Sequence, residues 1–64
     1  MEILFCPVMG KALTLAQLLD MEERNYQECL SVGMSENDAD WYALEHLAED
    51  TGVGEGELAL FLWG

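Results

Sequence analysis

Apolar residues recur at helical spacing from Leu15 onward. Leu15, Leu18, Leu19, Tyr26, Cys29 and Leu30 fall on one stripe, with Asp20, Glu22, Glu23, Asn25, Gln27 and Glu28 as mainly polar flanks. Thr14-Leu-Ala-Gln17 reads as a capping box, in which Thr14 accepts from the Gln17 amide. Leu13 and Leu18 are placed for the hydrophobic staple that accompanies such a cap. Gly33 suits the left-handed residue just beyond the helix end. A second start signal follows at Ser35, where Glu36 and Asp38 complement the positive end of the helix dipole. Trp41, Leu44, Leu47 and Ala48 then line one face, broadened by Tyr42 and Ala43, and Gly52 closes the helix. Residues 57–63 are almost continuously apolar, a pattern shared by buried strands and short helices. Their Leu, Ala, Phe and Glu content favours a helix after a tight Gly52–Gly56 loop.

The pattern therefore predicts a mainly α fold: one small domain of three helices, near residues 14–32, 36–51 and 55–63. Residues 1–12 precede them as an extended arm or short edge strand, with Pro7 tolerated at an edge and Gly10-Lys11-Ala12 as a connector. No internal repeat or low-complexity linker interrupts the chain.

The Leu44–Trp63 segment has the spacing Ala48-x3-Gly52-Val53-x4-Leu58-x2-Phe61. It resembles the helix-turn-helix of bacterial and phage regulators. That resemblance implies a second helix that lies in the major groove, with its first residues reading base edges. Those positions fall on Gly54, Glu55, Gly56 and Glu57. A second likeness rests on Gly33-Met34-Ser35, Trp41, Ala43-Leu44 and Leu58-Ala59-Leu60-Phe61-Leu62, which are similar to the three-helix ubiquitin-associated fold. Here the loop reads Gly-Met rather than Met-Gly, and the first helix lies far upstream. In general character the chain also looks like the small early accessory proteins of lambdoid phages, from the interval between exonuclease and excisionase genes. No residue motif carries that likeness. It implies a modulator of host physiology or of the lysis–lysogeny choice, acting in the host cytoplasm.

Charge changes this picture. Thirteen acids stand against Lys11 and Arg24, a formal net charge of −11. Nucleic-acid affinity comes largely from Lys and Arg displacing counterions, so Glu55 and Glu57 in the reading helix oppose DNA binding. Anionic lipid is disfavoured for the same reason. Basic protein surfaces are the complementary partners. The plainer role of the charge is to keep a sticky domain soluble. Composition adds a second constraint. A chain of 64 residues with 52% hydrophobic content is too apolar for disorder and leaves some apolar side chains at its surface. Self-association, as a dimer, is the expected supplement to so small a core.

Candidate chemistry is sparse. Cys6 and Cys29 show no metal-type spacing and are too few for a disulfide scaffold. His46 is the single histidine, with Glu49 and Asp50 within helical reach. Glu36, Asp38 and Asp40 lack the ordered oxygen spacing of a calcium loop and serve more simply as a helix cap. There is no phosphate loop and no nucleophile–His–acid set. No catalytic residue, cofactor or metal is expected. The N-terminus has no basic region of a signal peptide, and no apolar run spans a bilayer, so a reducing cytoplasm is the expected setting. The candidate site is instead a partner-binding surface: Trp63, Phe61, Leu60 and Trp41 as apolar anchors, with Glu55 and Glu57 as acidic neighbours, or alternatively the apolar N-terminal arm. The expectation is a non-enzymatic regulator or adaptor that binds protein. The alternatives are a helix-turn-helix DNA-binding regulator and an acidic decoy that mimics DNA.

Overall fold

The computed structural model describes residues 2–64. The order is β1 (Ile3–Cys6), β2 (Lys11–Thr14), α1 (Leu15–Ser31), α2 (Glu36–Thr51) and α3 (Glu55–Trp63). Three helices dominate, as the apolar periodicity predicts. The N-terminal region is more regular than an arm or a single strand. β1 and β2 form an antiparallel hairpin with Ile3↔Thr14, Leu4↔Leu13, Phe5↔Ala12 and Cys6↔Lys11 in register. The expected Gly10–Ala12 connector is thereby corrected: Lys11 and Ala12 belong to β2, and Pro7 to Gly10 make the turn.

Local chemistry sets each helix boundary. At α1 the Thr14 Oγ1 accepts from the Gln17 N–H at 3.2 Å, and the Gln17 Oε1 accepts from the Thr14 N–H at 2.8 Å. Two of the donors that every helix start leaves unpaired are thus satisfied reciprocally. Leu13 and Leu18 enter the same core, consistent with a staple across this cap. At the far end Gly33 takes φ +95°. The Gly33 N–H donates to Leu30 O at 3.0 Å and the Met34 N–H to Cys29 O at 3.2 Å, a Schellman closure. Ser35 Oγ accepts from the Asp38 N–H at 3.2 Å and opens α2.

The core gathers one layer from every element: Cys6, Leu13, Leu18, Leu44, Leu47, Val53, Leu58 and Leu62. Ala39, Ala43 and Leu47, spaced four apart on α2, are completely buried. Alanine at the first two positions lets a neighbouring helix approach closely, and α1 with α2 is the most extensive helix pair.

Three expectations about faces are corrected here. Trp41 does not line the α2 core face; it is 63% exposed, because Ala39 and Ala43 already fill the close-packed row. Leu19 leaves the α1 stripe and is exposed. Glu22 is no polar flank: at 8% exposure it lies in the stripe itself, one turn after Leu18.

Thr51 ties the α2–α3 turn to the hairpin. Its Oγ1 donates to Leu47 O at 2.8 Å and accepts from the Val53 N–H at 3.2 Å. Its carbonyl accepts from the Val8 N–H at 3.0 Å. The residue is fully buried with both hydroxyl functions used, so its burial costs little.

An acid-lined tryptophan groove as candidate functional site

Trp41 on α2 and Trp63 on α3 line a single groove of about 470 Å³. Leu44 and Ala59 add apolar surface, and Glu22, Asn37 and Asp40 add polar atoms. The helix geometry explains the assembly. Asn37, Asp40, Trp41 and Leu44 follow one another at spacings of three, one and three, a single stripe along α2. Ala59 and Trp63 are four apart on α3. Glu22 comes from the middle of α1. Trp41 is 63% and Trp63 is 56% exposed, so both indoles stand at the rim with a large free surface.

The electrostatics of the groove are one-sided. Burial pushes the Glu22 carboxyl above the usual range, and repulsion from Asp40 and then Glu23 adds to it. Among the described residues no hydrogen bond to the Glu22 side chain is formed, yet neither oxygen is sealed from solvent. The carboxylate therefore has its stem in the helix interface and its head toward the groove. Arg24, the nearest base in sequence, is taken by Asp20 at 3.0 Å on the exposed face of α1. Neither Lys11 nor Arg24 lines the groove.

Of the six residues expected to bind a partner, this groove unites two, Trp41 and Trp63. Leu60 is 72% exposed but is not part of the lining. Phe61 is half-buried and packs against the core. Glu55 and Glu57 lie exposed in the first turn of α3. Sequence reasoning missed Glu22, Asn37, Asp40, Leu44 and Ala59 as members. For Glu22 a signal existed, since an acid at the i+4 position from Leu18 interrupts an otherwise apolar stripe.

The residues considered for other chemistry lie elsewhere. Cys29 and His46 line a second groove with Asn25, Glu28, Val32, Met34 and Tyr42. The His46 and Tyr42 rings pack in a tilted arrangement, with centroids 4.7 Å apart and planes at 39°. Cys6 is not in that groove. It is buried in the hairpin, where desolvation raises the thiol pKa against a lowering contact from the Leu13 N–H. A buried, protonated thiol is a poor nucleophile. Among the described residues no group of three His, Cys, Asp or Glu is arranged to hold a metal ion. None of the described helices is long and apolar enough to cross a membrane.

Comparison with known proteins adds no further assignment: no family model matches this chain, and neither a curated protein nor a solved structure does.

Proposed function

We propose that this protein is a small acidic adaptor or regulator, without catalytic activity, that binds a cationic amphipathic segment of another protein in the Trp41–Trp63 groove. The observation that carries this reading is the convergence of two exposed indoles with Glu22 and Asp40 around one apolar floor. Aromatic anchors in a pocket are the usual centres of binding energy. A Lys or Arg entering here meets two carboxylates and the face of an indole, and both attract a cation. The net charge of −11 steers such a partner toward the molecule. Action on a regulator of host or phage development is in keeping with this chemistry. The DNA-reading alternative is less well supported, because α3 presents Glu55 and Glu57 in its first turn and no base follows Arg24.

The probe is an amphipathic helical peptide of Leu and Lys, titrated while tryptophan emission is recorded. Trp41→Ala and Trp63→Ala are each expected to weaken binding about tenfold, the loss of a mid-sized hot spot of ~1.4 kcal/mol. Both side chains are exposed, so the melting temperature should stay near wild type. A peptide that binds both variants as tightly as wild type would exclude the groove as the docking site.

Glu22 gives a second test, because the group stores a cost that a cationic partner relieves. Its carboxyl pKa is raised in the folded state, so the folded protein holds the proton more firmly than the unfolded chain. The associated stability is fully present below the unfolded pKa and is lost as pH rises through the folded pKa. Glu22→Gln is therefore expected to melt higher than wild type at pH 7, and the two should converge as pH falls through the acid range. Glu23→Gln, on an exposed side chain, serves as the control for overall charge. Equal melting temperatures for Glu22→Gln and Glu23→Gln at pH 7 would count against a strained Glu22. The same Glu22→Gln change should weaken peptide binding, the trade of stability for function expected of a binding residue.

A further inference from the structure

The hairpin carries a surface that the groove does not use. In an antiparallel pair, residues alternate between those that hydrogen-bond across the pair and those whose backbone groups point outward. The Thr14 N–H is spent on Gln17 Oε1, so Ile3↔Thr14 is an outward-pointing pair. Leu4↔Leu13 is thus a bonded pair, and the N–H and C=O of Ile3 and of Phe5 point to the open edge of β1. Among the described residues neither Ile3 nor Phe5 forms a backbone hydrogen bond outside the hairpin, and no helix packs extensively along β1.

The side chains of this edge are apolar and exposed. Ile3 is 59% and Phe5 is 60% exposed, with Ala12 beside Phe5 on the same face. Natural edge strands are usually blunted by a charge, a proline or a bulge within the strand. Here β1 reads Ile-Leu-Phe-Cys and has none of these; only its four-residue length limits the pairing it can offer.

We propose that β1 pairs with β1 of a second copy of this chain, antiparallel and two-fold symmetric about Leu4, to give a four-stranded sheet across the dimer. A self-complementary register follows from the outward groups. Ile3 of one copy and Phe5 of the other exchange both backbone bonds, and symmetry repeats the pair. Each Phe5 then lies across from an Ile3, an aromatic–β-branched pairing that favours antiparallel sheets. The self-complementary register, together with the lack of acids within the strand, fits a second copy as the occupant. Two molecules of net charge −11 repel, and an interface between them forms where the acids are absent. Glu2 is the single acid before Asp20, so residues 3–19 carry no Asp or Glu, and Lys11 lies within the hairpin. The other twelve acids lie from Asp20 to Glu57, all of them on the helices. The isologous contact is closed by its own symmetry, so it ends at a dimer rather than a fibre.

Sedimentation equilibrium of the full chain tests this, with amide hydrogen exchange as the local readout. Wild type is expected to be a dimer that dissociates on dilution, with the Ile3 and Phe5 amides gaining protection as concentration rises. Phe5→Lys should shift the midpoint of dissociation at least tenfold, or abolish the dimer, while its helical circular dichroism stays unchanged. Trp63→Lys should leave the dimer intact. A wild type that remains monomeric at millimolar concentration would overturn the proposal, as would a dimer that survives Phe5→Lys or one that Trp63→Lys dissolves. These outcomes are independent of whether a cationic peptide enters the tryptophan groove.

Discussion

Leu47→Ala is expected to remove about half of the folding stability. Leu47 is completely buried, and it sits in the core cluster that draws on the hairpin and all three helices. Truncating such a leucine removes its transfer free energy and leaves a cavity, for a loss of about 2–5 kcal/mol. A domain of this length has a total stability of roughly 3–10 kcal/mol. A loss of that size removes about half of the total, so the urea midpoint should fall by a comparable fraction. Urea titration followed by helical circular dichroism measures it. Leu60→Ala is the control, since Leu60 is 72% exposed and should cost less than about 0.5 kcal/mol. A Leu47→Ala protein within 1 kcal/mol of wild type would mean that these helices do not share one core.

The second large effect is expected at Gly52. This residue takes φ +79° at the end of α2. A side chain there faces two costs. The left-handed backbone is worth about 1–2 kcal/mol for a residue with a Cβ. The Cβ itself would lie 2.7 Å from Val8 Cγ2 and 3.2 Å from Val8 N, inside van der Waals contact. Val8 is largely exposed and its side chain can turn away. Its backbone cannot, because the Val8 N–H is held by the Thr51 carbonyl at 3.0 Å. Gly52→Ala is therefore expected to destabilise by about 2–3 kcal/mol in total. It should also loosen the hairpin turn from α2, seen as faster exchange of the Val8 amide relative to the core amides. Gly54→Ala is the control, because a Cβ at Gly54 meets nothing within 4 Å and φ there is −62°. Equal effects of the two changes would contradict the account of the turn.

The helices were legible because their boundaries are written in short-range chemistry. Thr14 with Gln17, Ser35, Gly33 and Gly52 each specify a start or a stop within four residues, and each does so in the fold. The third helix was less so. Its residues are apolar almost all round, and only packing decides that Leu58 and Leu62 go inside while Leu60 and Trp63 stay out. The hairpin was harder still. Its strands are four residues each, and its turn, Pro7-Val8-Met9-Gly10, lacks the Asn-Gly type of signal that marks tight hairpins. Lys11 and Ala12 have low strand preference, so β2 is held by tertiary pairing rather than by propensity.

The candidate site was half legible. Trp41 and Trp63 stand out as aromatic residues in excess of what a small core absorbs, and the fold gathers them on one groove. Of their acidic neighbours, Glu22 left a trace in the spacing, four residues after Leu18 on the apolar stripe, and Asp40 left none. Asp40 reads as part of a helix cap, and Glu22 reads as a solvated flank, because charged residues are rarely buried. In the fold Glu22 is buried in the helix interface and lines the groove with Asp40.

In the proposed function a cationic partner docks in the Trp41–Trp63 groove. The most direct measurement follows the indole Nε1–H resonances of Trp41 and Trp63 while a Leu/Lys amphipathic peptide is added to the isotope-labelled protein. Both indole signals are expected to shift together and saturate at the same peptide concentration, with the Glu22 and Asp40 carboxyl signals moving in step. Saturable binding that leaves both indoles unmoved, and instead perturbs the Cys29–His46 groove or the first turn of α3, would contradict it.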